Sequence, residues 1–202
     1  IESPKISGSK VVWISRCGAP NMPNPLVNIH LYDLTTGVSI AITDNCSVAP
    51  LDSAFDVSED HIVWRSLYDR GLHLYDMITG TTRQLLDSPG VPLDLAIDGD
   101  RIVWSDDRER LHHQIYLYDV GAETLQQITA YPAASPTQVA ISGRIVAWVS
   151  WAYGAHLYMH QLPNSHPIFS ALTDQTLNEG SMLSIAVTVT DPNGDPVMLT
   201  AR

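Results

Sequence analysis

Apolar positions in this chain come in short runs, rich in β-branched and aromatic residues and cut by Gly, Asp, Asn and Pro. The clearest stretch is Ile97 to Asp119: Ile-Asp-Gly-Asp-Arg-Ile-Val-Trp, a polar loop, then Ile-Tyr-Leu-Tyr-Asp. Runs of this length and composition, bounded by turn residues, predict strands, and no stretch shows the 3.6-residue period of a helix.

Versions of that stretch recur four times. The first has Ile6, Ser7 and Gly8, then Val11 to Trp13, then Ile29 to Asp33, a Thr-Thr-Gly turn and Ile40 to Thr43. The second has Val57 to Asp60, Ile62 to Trp64, Leu72 to Asp76 and Gln84 to Leu86. The third adds Leu125 to Thr129 to the stretch above, and the fourth has Ile141 to Gly143, Val146 to Trp148 and His156 to Tyr158. The tryptophans Trp13, Trp64, Trp104 and Trp148 lie 51, 40 and 44 residues apart. Repetition near that period without helices predicts a β-propeller in which each repeat is a four-stranded blade. Asp33, Asp76 and Asp119, each following a Tyr, are placed to accept hydrogen bonds from the turn backbone, with the following Gly at a positive φ. These aspartates and the four tryptophans therefore read as structural repeat residues.

The residues Ile97, Gly99 to Trp104, Ile115 to Asp119 and Leu125 to Thr129, with their counterparts, make residues 1–166 resemble the TolB-like propeller repeats of secreted and surface proteins. The resemblance implies a fold more than an activity, since such propellers serve as binding platforms, spacers and gating domains. Most rings of that family have more than four blades, so either the ring is small or blades lie upstream of Ile1.

From Pro167 the pattern breaks. Asn178, Glu179 and Gly180, the alternation from Leu183 to Thr190, and Asp191 to Pro196 resemble the opening strands of a cadherin-like or Ig-like module. Residues 167–202 amount to about a third of such a sandwich of roughly 100 residues, and a few strands cannot bury both its faces. Tyr32, Tyr75 and Tyr118 are each followed ten residues later by an apolar residue, and Tyr158 by Ile168. Residues 167–172 could thus be the last strand of blade four or the first of the next module.

Composition narrows the functions. The 202 residues carry 22 acidic against 11 basic side chains, a net charge of −11, which repels nucleic acid and anionic membranes. No apolar run approaches the roughly 18 residues of a membrane span. The chain opens on Ile1 rather than Met, as expected after removal of a leader or an upstream region. Cys17 and Cys46, both in the first repeat, suggest one disulfide closing a long loop in an oxidising compartment; two free thiols are the alternative.

Chemistry is sparse. His30, His73 and His156 sit on equivalent strands of different blades and cannot converge on one ion. Asp191, Asn193 and Asp195 have the spacing of half a calcium loop, which makes calcium the one cofactor suggested, although a Pro-Asn-Gly hairpin explains them with fewer ligands required. Asp106, Asp107 and Glu109 read as a solvated acidic loop. Trp151 and Tyr153 could form a sugar platform, and packing between blades explains Trp151 equally well. No G-x-S-x-G elbow occurs. The reading is a non-enzymatic extracellular or cell-surface structural or adhesion protein, all-β, whose residues 167–202 add strands to other copies or to neighbouring surface proteins, giving a filament or array. A glycan- or peptide-binding propeller, or the non-catalytic part of a larger secreted hydrolase, is the alternative.

Overall fold

The computed structural model describes residues 2–17, 27–44, 46, 55–66, 69, 71–86, 94–108, 113–130, 136–151, 155–164, 168–169, 180, 188–191 and 197–198. Two compact units divide the chain, Ile1–Gln161 and Leu162–Arg202. Every regular element among the described residues is a strand, and no helix is long and apolar enough to cross a membrane.

The first unit repeats one antiparallel sheet. Blade one is β1 (Glu2–Ser7), β2 (Lys10–Arg16), β3 (Val27–Asp33) and β4 (Val38–Ala41). Blade two is β5 (Phe55–Val57), β6 (His61–Arg65), β7 (Leu72–Asp76) and β8 (Thr81–Leu86). Blade three is β9 (Leu95–Asp98), β10 (Arg101–Asp106), β11 (Gln114–Asp119) and β12 (Thr124–Gln127). Blade four has three strands among the described residues: β13 (Pro136–Ser142), β14 (Ile145–Ser150) and β15 (His156–Gln161). Strand order follows chain order in each sheet, and β1, β5, β9 and β13 lie side by side in succession. That is the arrangement of propeller blades about an axis.

The core lies between blades because each sheet has two apolar faces. Val12, Ile14, Ile29 and Leu31 of blade one meet Phe55, Val57, Ile62 and Trp64 of blade two in one cluster. Val63, Leu72 and Leu74 of blade two meet Leu95, Ile97, Ile102 and Trp104 of blade three in another. A strand buried on both sides needs apolar residues at successive positions, which is why Ile62-Val63-Trp64 and Ile102-Val103-Trp104 do not alternate with polar ones.

Register corrects one expectation. Trp13, Trp64, Trp104 and Trp148 pair across the sheet with His30, His73, Tyr116 and Tyr158, and each ring stacks on its partner with centroids 5.4, 5.6, 5.9 and 6.0 Å apart. Tyr158 therefore occupies the level of His30 and His73, not that of Tyr32, Tyr75 and Tyr118, where blade four has His160. The tryptophan sets the level, and the Tyr-Asp pair used for the alignment is missing from blade four.

In the second unit, β16 (Ile168–Phe169) pairs antiparallel with β17 (Val189–Thr190). A two-stranded pair is common to many folds and does not by itself make an Ig-like module. Residues 168 and 169 thus pair within the second unit's sheet.

Candidate functional site

The repeats diverge at the end of each sheet where the second strand leaves for the third. At that end every blade carries its Trp and stacked partner, and the polar groups around the pair differ from blade to blade. In blade one Ser15 Oγ lies 2.7 Å from His30 Nε2. In blade two His73 Nε2 lies 2.9 Å from Asp69 Oδ2. Burial opposes ionisation of Asp69, but the Gly71 amide, the Ser66 hydroxyl and His73 outweigh it and hold the carboxyl below its ordinary range.

Blade three differs most. Asp106, with no exposed surface, accepts hydrogen bonds from Trp104 Nε1 at 2.8 Å and from the Arg108 amide and Nε at 3.1 and 3.0 Å. The Arg108 guanidinium lies 3.9 Å from the Tyr116 ring centroid and 5.8 Å from that of Trp104. This corrects the reading of Asp106 as a solvated acid: Arg108 two residues on neutralises it, and the two aromatic rings wall the pair off. Glu109 lies outside the described residues.

In blade four the pair is Trp148 and Tyr158, with His156 edge-on to Tyr158 at 6.5 Å. Trp151 is 59 % exposed and donates from Nε1 to Thr137 Oγ1 at 3.1 Å, so it does not pack between blades. Tyr153 lies outside the described residues.

The opposite end holds the turns. Asp33 accepts from the Thr35 amide at 2.8 Å, Asp76 from those of Ile78 and Thr79 at 2.8 and 3.0 Å, and Asp119 from that of Ala122 at 2.8 Å. Gly37 and Gly80 take φ of +71° and +68° in the first two turns. In the third turn Glu123 takes φ of +52° in their place, rather than Gly121. Sequence reading missed the partners of these aspartates. Lys10, His61 and Arg101 each begin the second strand and pair with Asp33, Asp76 and Asp119 in register. A Lys, His or Arg three places before Trp13, Trp64 and Trp104 was the available signal. Lys10 Nζ sits 2.8 Å from Asp33, and Arg101 Nε sits 3.9 Å from Asp119. The hydrogen bond from Lys10, then that from the Thr35 amide, brings the Asp33 pKa down to about 2. The Thr79 amide, against the cost of burial, and then the Ile78 amide lower that of Asp76. In blade four the same level holds Ile145 opposite Gln161.

Cys17 and Cys46 form a disulfide, Cα atoms 6.0 Å apart. It ties the loop after β2 to the segment after β4, where Asn28 Oδ1 accepts from the Cys46 amide at 2.9 Å. Among the described residues no three metal-ligating side chains gather, and His30, His73 and His156 keep to separate blades. Asp191 follows β17, while Asn193 and Asp195 lie outside the described residues. The Ser15–His30 contact has the spacing of a nucleophile and its base. In blades three and four, however, Tyr116 and Tyr158 fill the histidine's place against the Trp, which marks the position as a packing rung.

No protein-family model matches the chain, and no curated protein does. Among solved structures, TolB from Acinetobacter baumannii is 20 % identical with a TM-score of 0.56, over 80 % of this chain and 41 % of TolB. The β-propeller domain of the Trilobed protease from Pyrococcus furiosus, described as having an open velcro topology, is 13 % identical with a TM-score of 0.58, over 80 % and 54 % of the two chains. The acylaminoacyl peptidase of Pyrococcus horikoshii is 15 % identical with a TM-score of 0.59, over 87 % of this chain and 31 % of its own. The chain thus spans well under two thirds of each of these proteins. Its structural neighbours are TolB-like β-propellers, and the likeness is one of fold.

Proposed function

We propose that the chain is a non-catalytic scaffold of an extracellular or cell-surface protein, which joins neighbouring subunits by strand addition through residues 167–202. The observation that carries this is the edge of blade four. Blades one to three each have a fourth strand outside the third, whereas β15 is outermost in its sheet among the described residues. A bare sheet edge accepts an extended segment from another chain through main-chain hydrogen bonds. The disulfide fits an oxidising compartment outside the cytoplasm, and the aromatic, histidine and acid–base pairs at both ends of the blades are taken up in packing and turns.

Sedimentation of the full chain tests the reading when set beside a variant with Val189→Pro and Thr190→Pro, which removes strand hydrogen bonding from the second unit. Oligomers longer than a dimer, lost in the proline variant, are expected. Absence of such oligomers, or their persistence in the variant, would overturn strand addition by the tail.

Trp151 supports a second reading, a glycan- or peptide-binding blade. An exposed Trp whose indole N–H is held by Thr137 suits stacking on a sugar ring. Quenching or a blue shift of Trp fluorescence with oligosaccharides, abolished by Trp151→Ala, would favour it; a flat titration would remove it. The similarity to peptidases leaves room for a role as the non-catalytic part of a secreted hydrolase, and it assigns no catalytic residue here.

A further inference from the structure

His61 stands where blade one has Lys10 and blade three has Arg101, at the first position of the second strand, opposite the turn aspartate of its own blade. Successive residues of β6 point to opposite faces. Val63, two places on, shares a core cluster with Leu95 and Ile97, so the imidazole is turned towards blade three. It is 8 % exposed. Its Nδ1 makes no hydrogen bond among the described residues and lies 3.4 Å from Oδ1 of Asp100, in the turn between β9 and β10. Beside it, Ser58 Oγ donates to the Gly99 carbonyl at 3.0 Å, so this turn is already docked on blade two. The next junction is built alike. Arg101 donates from Nη1 to the Gly143 carbonyl at 3.3 Å, and Gly143 holds in blade four the place that Gly99 holds in blade three. Both residues thus reach the first turn of the following blade from the same position of their own. Arg101 is a cation at every pH, whereas a histidine ordinarily gains its charge between about pH 8 and 5.

We propose that His61 is a proton-operated latch between blades two and three. Taking up a proton from solvent, the ring becomes an imidazolium that attracts Asp76 of its own blade and Asp100 of the next. Without that proton the attraction is gone and the buried Nδ1 is left unsatisfied, which costs stability at this junction. Other charged groups on the elements around it are engaged or point the same way. Asp56 of β5 is held by Lys5 and the Ile97 amide, and Asp98 accepts from the Gly143 amide. Arg101 serves Gly143 and Asp119. Glu59 and Asp60, in the exposed turn before His61, add negative potential that also favours the imidazolium. Arg65 shares the face but stands at the far end of β6. Since the closed junction favours the proton, the proton favours the closed junction: the contribution is present at mildly acid pH and lost as the pH rises through neutrality. Asp100 is exposed, so the pair is screened, and the latch tunes local opening rather than holding the fold. It is independent of the joining proposed above.

Native-state amide hydrogen exchange on the 202-residue chain, corrected for the intrinsic pH dependence of exchange, reads the latch. Two amides report on it: Met77, which donates to the Asp60 carbonyl, and Val120, which donates to the Asp100 carbonyl. Their protection should fall roughly three- to tenfold between about pH 5.5 and pH 8, while the Gly143 amide at the Arg101 junction holds steady. His61→Arg, or the slimmer His61→Lys, should fix the protected state at both pH values, and His61→Gln the loosened one. Asp100→Asn, with the histidine in place, should remove most of the pH dependence. His73→Gln, at the opposite end of the blade, should leave it intact, and circular dichroism checks that every variant keeps its strands. Equal protection of the wild type at the two pH values would overturn the latch. So would a pH dependence undiminished in His61→Gln or Asp100→Asn, or one lost in His73→Gln.

Discussion

Asp106 shows how far a residue's neighbours can be from what its sequence suggests. Beside Asp107 and Glu109 it looks like part of a solvated cluster, yet it is the carboxylate on which Trp104 and Arg108 converge. A buried charge whose partner is removed has neither water nor a counter-ion. Asp106→Leu should therefore cost about 3–5 kcal/mol, since it strands Arg108 and the indole N–H. Adding Arg108→Met should recover a large part of that loss, because an apolar pair of similar size needs no compensation. A double-mutant cycle by urea denaturation measures both. Equal and additive losses would mean that the two side chains act independently. The tryptophans and turn aspartates were legible because they recur at fixed places. The residues opposite those aspartates were not, since Lys10, His61 and Arg101 share only a nitrogen-bearing side chain and their register, and register appears only once the strands pair.

At the level of the element, strands were legible from composition and period, and blade four shows the limit. Its third strand, His-Leu-Tyr-Met-His-Gln, offers a Tyr that matches two different levels of the other blades. Stacking on Trp148 selects one, and sequence alone holds no term for that choice. Blade one carries a different device, the Cys17–Cys46 bond, which closes a covalent loop across 29 positions from the end of β2 to the segment after β4. Cross-linking a loop of that length removes disorder from the unfolded chain worth roughly 3–4 kcal/mol. Reduction, or Cys17→Ser with Cys46→Ser, should lower the unfolding midpoint accordingly, read by denaturation with and without reductant. An unchanged midpoint would show that the segment around Cys46 is fixed by other contacts, such as the Cys46 amide donating to Asn28 Oδ1.

For the whole molecule, the fourfold repeat and its propeller character could be read from tryptophan spacing, and the structural neighbours agree on the fold. Exposure could not be read: Ile6 and Val57, or Leu157 and Leu72, are the same kinds of residue in the same pattern, yet Ile6 and Leu157 are exposed where Val57 and Leu72 are buried.

The row of cation–carboxylate pairs has a directional consequence. Carboxyls held below their ordinary range sit in blade one (Asp33) and blade two (Asp69, Asp76), while blade four has Ile145 and Gln161 at the level of Lys10 and Asp33. A carboxyl with a depressed pKa stabilises the fold above its unfolded value of roughly 3.9 and loses that contribution as the pH falls towards its folded value. Repeat arrays loosen locally, each unit leaning on its neighbours. Acid should therefore act on this chain as a wedge driven from its N-terminal side, with amide hydrogen exchange between pH 4 and 2 accelerating in residues 2–86 before it does in residues 136–161. Proton concentration would then set which end of the array opens first.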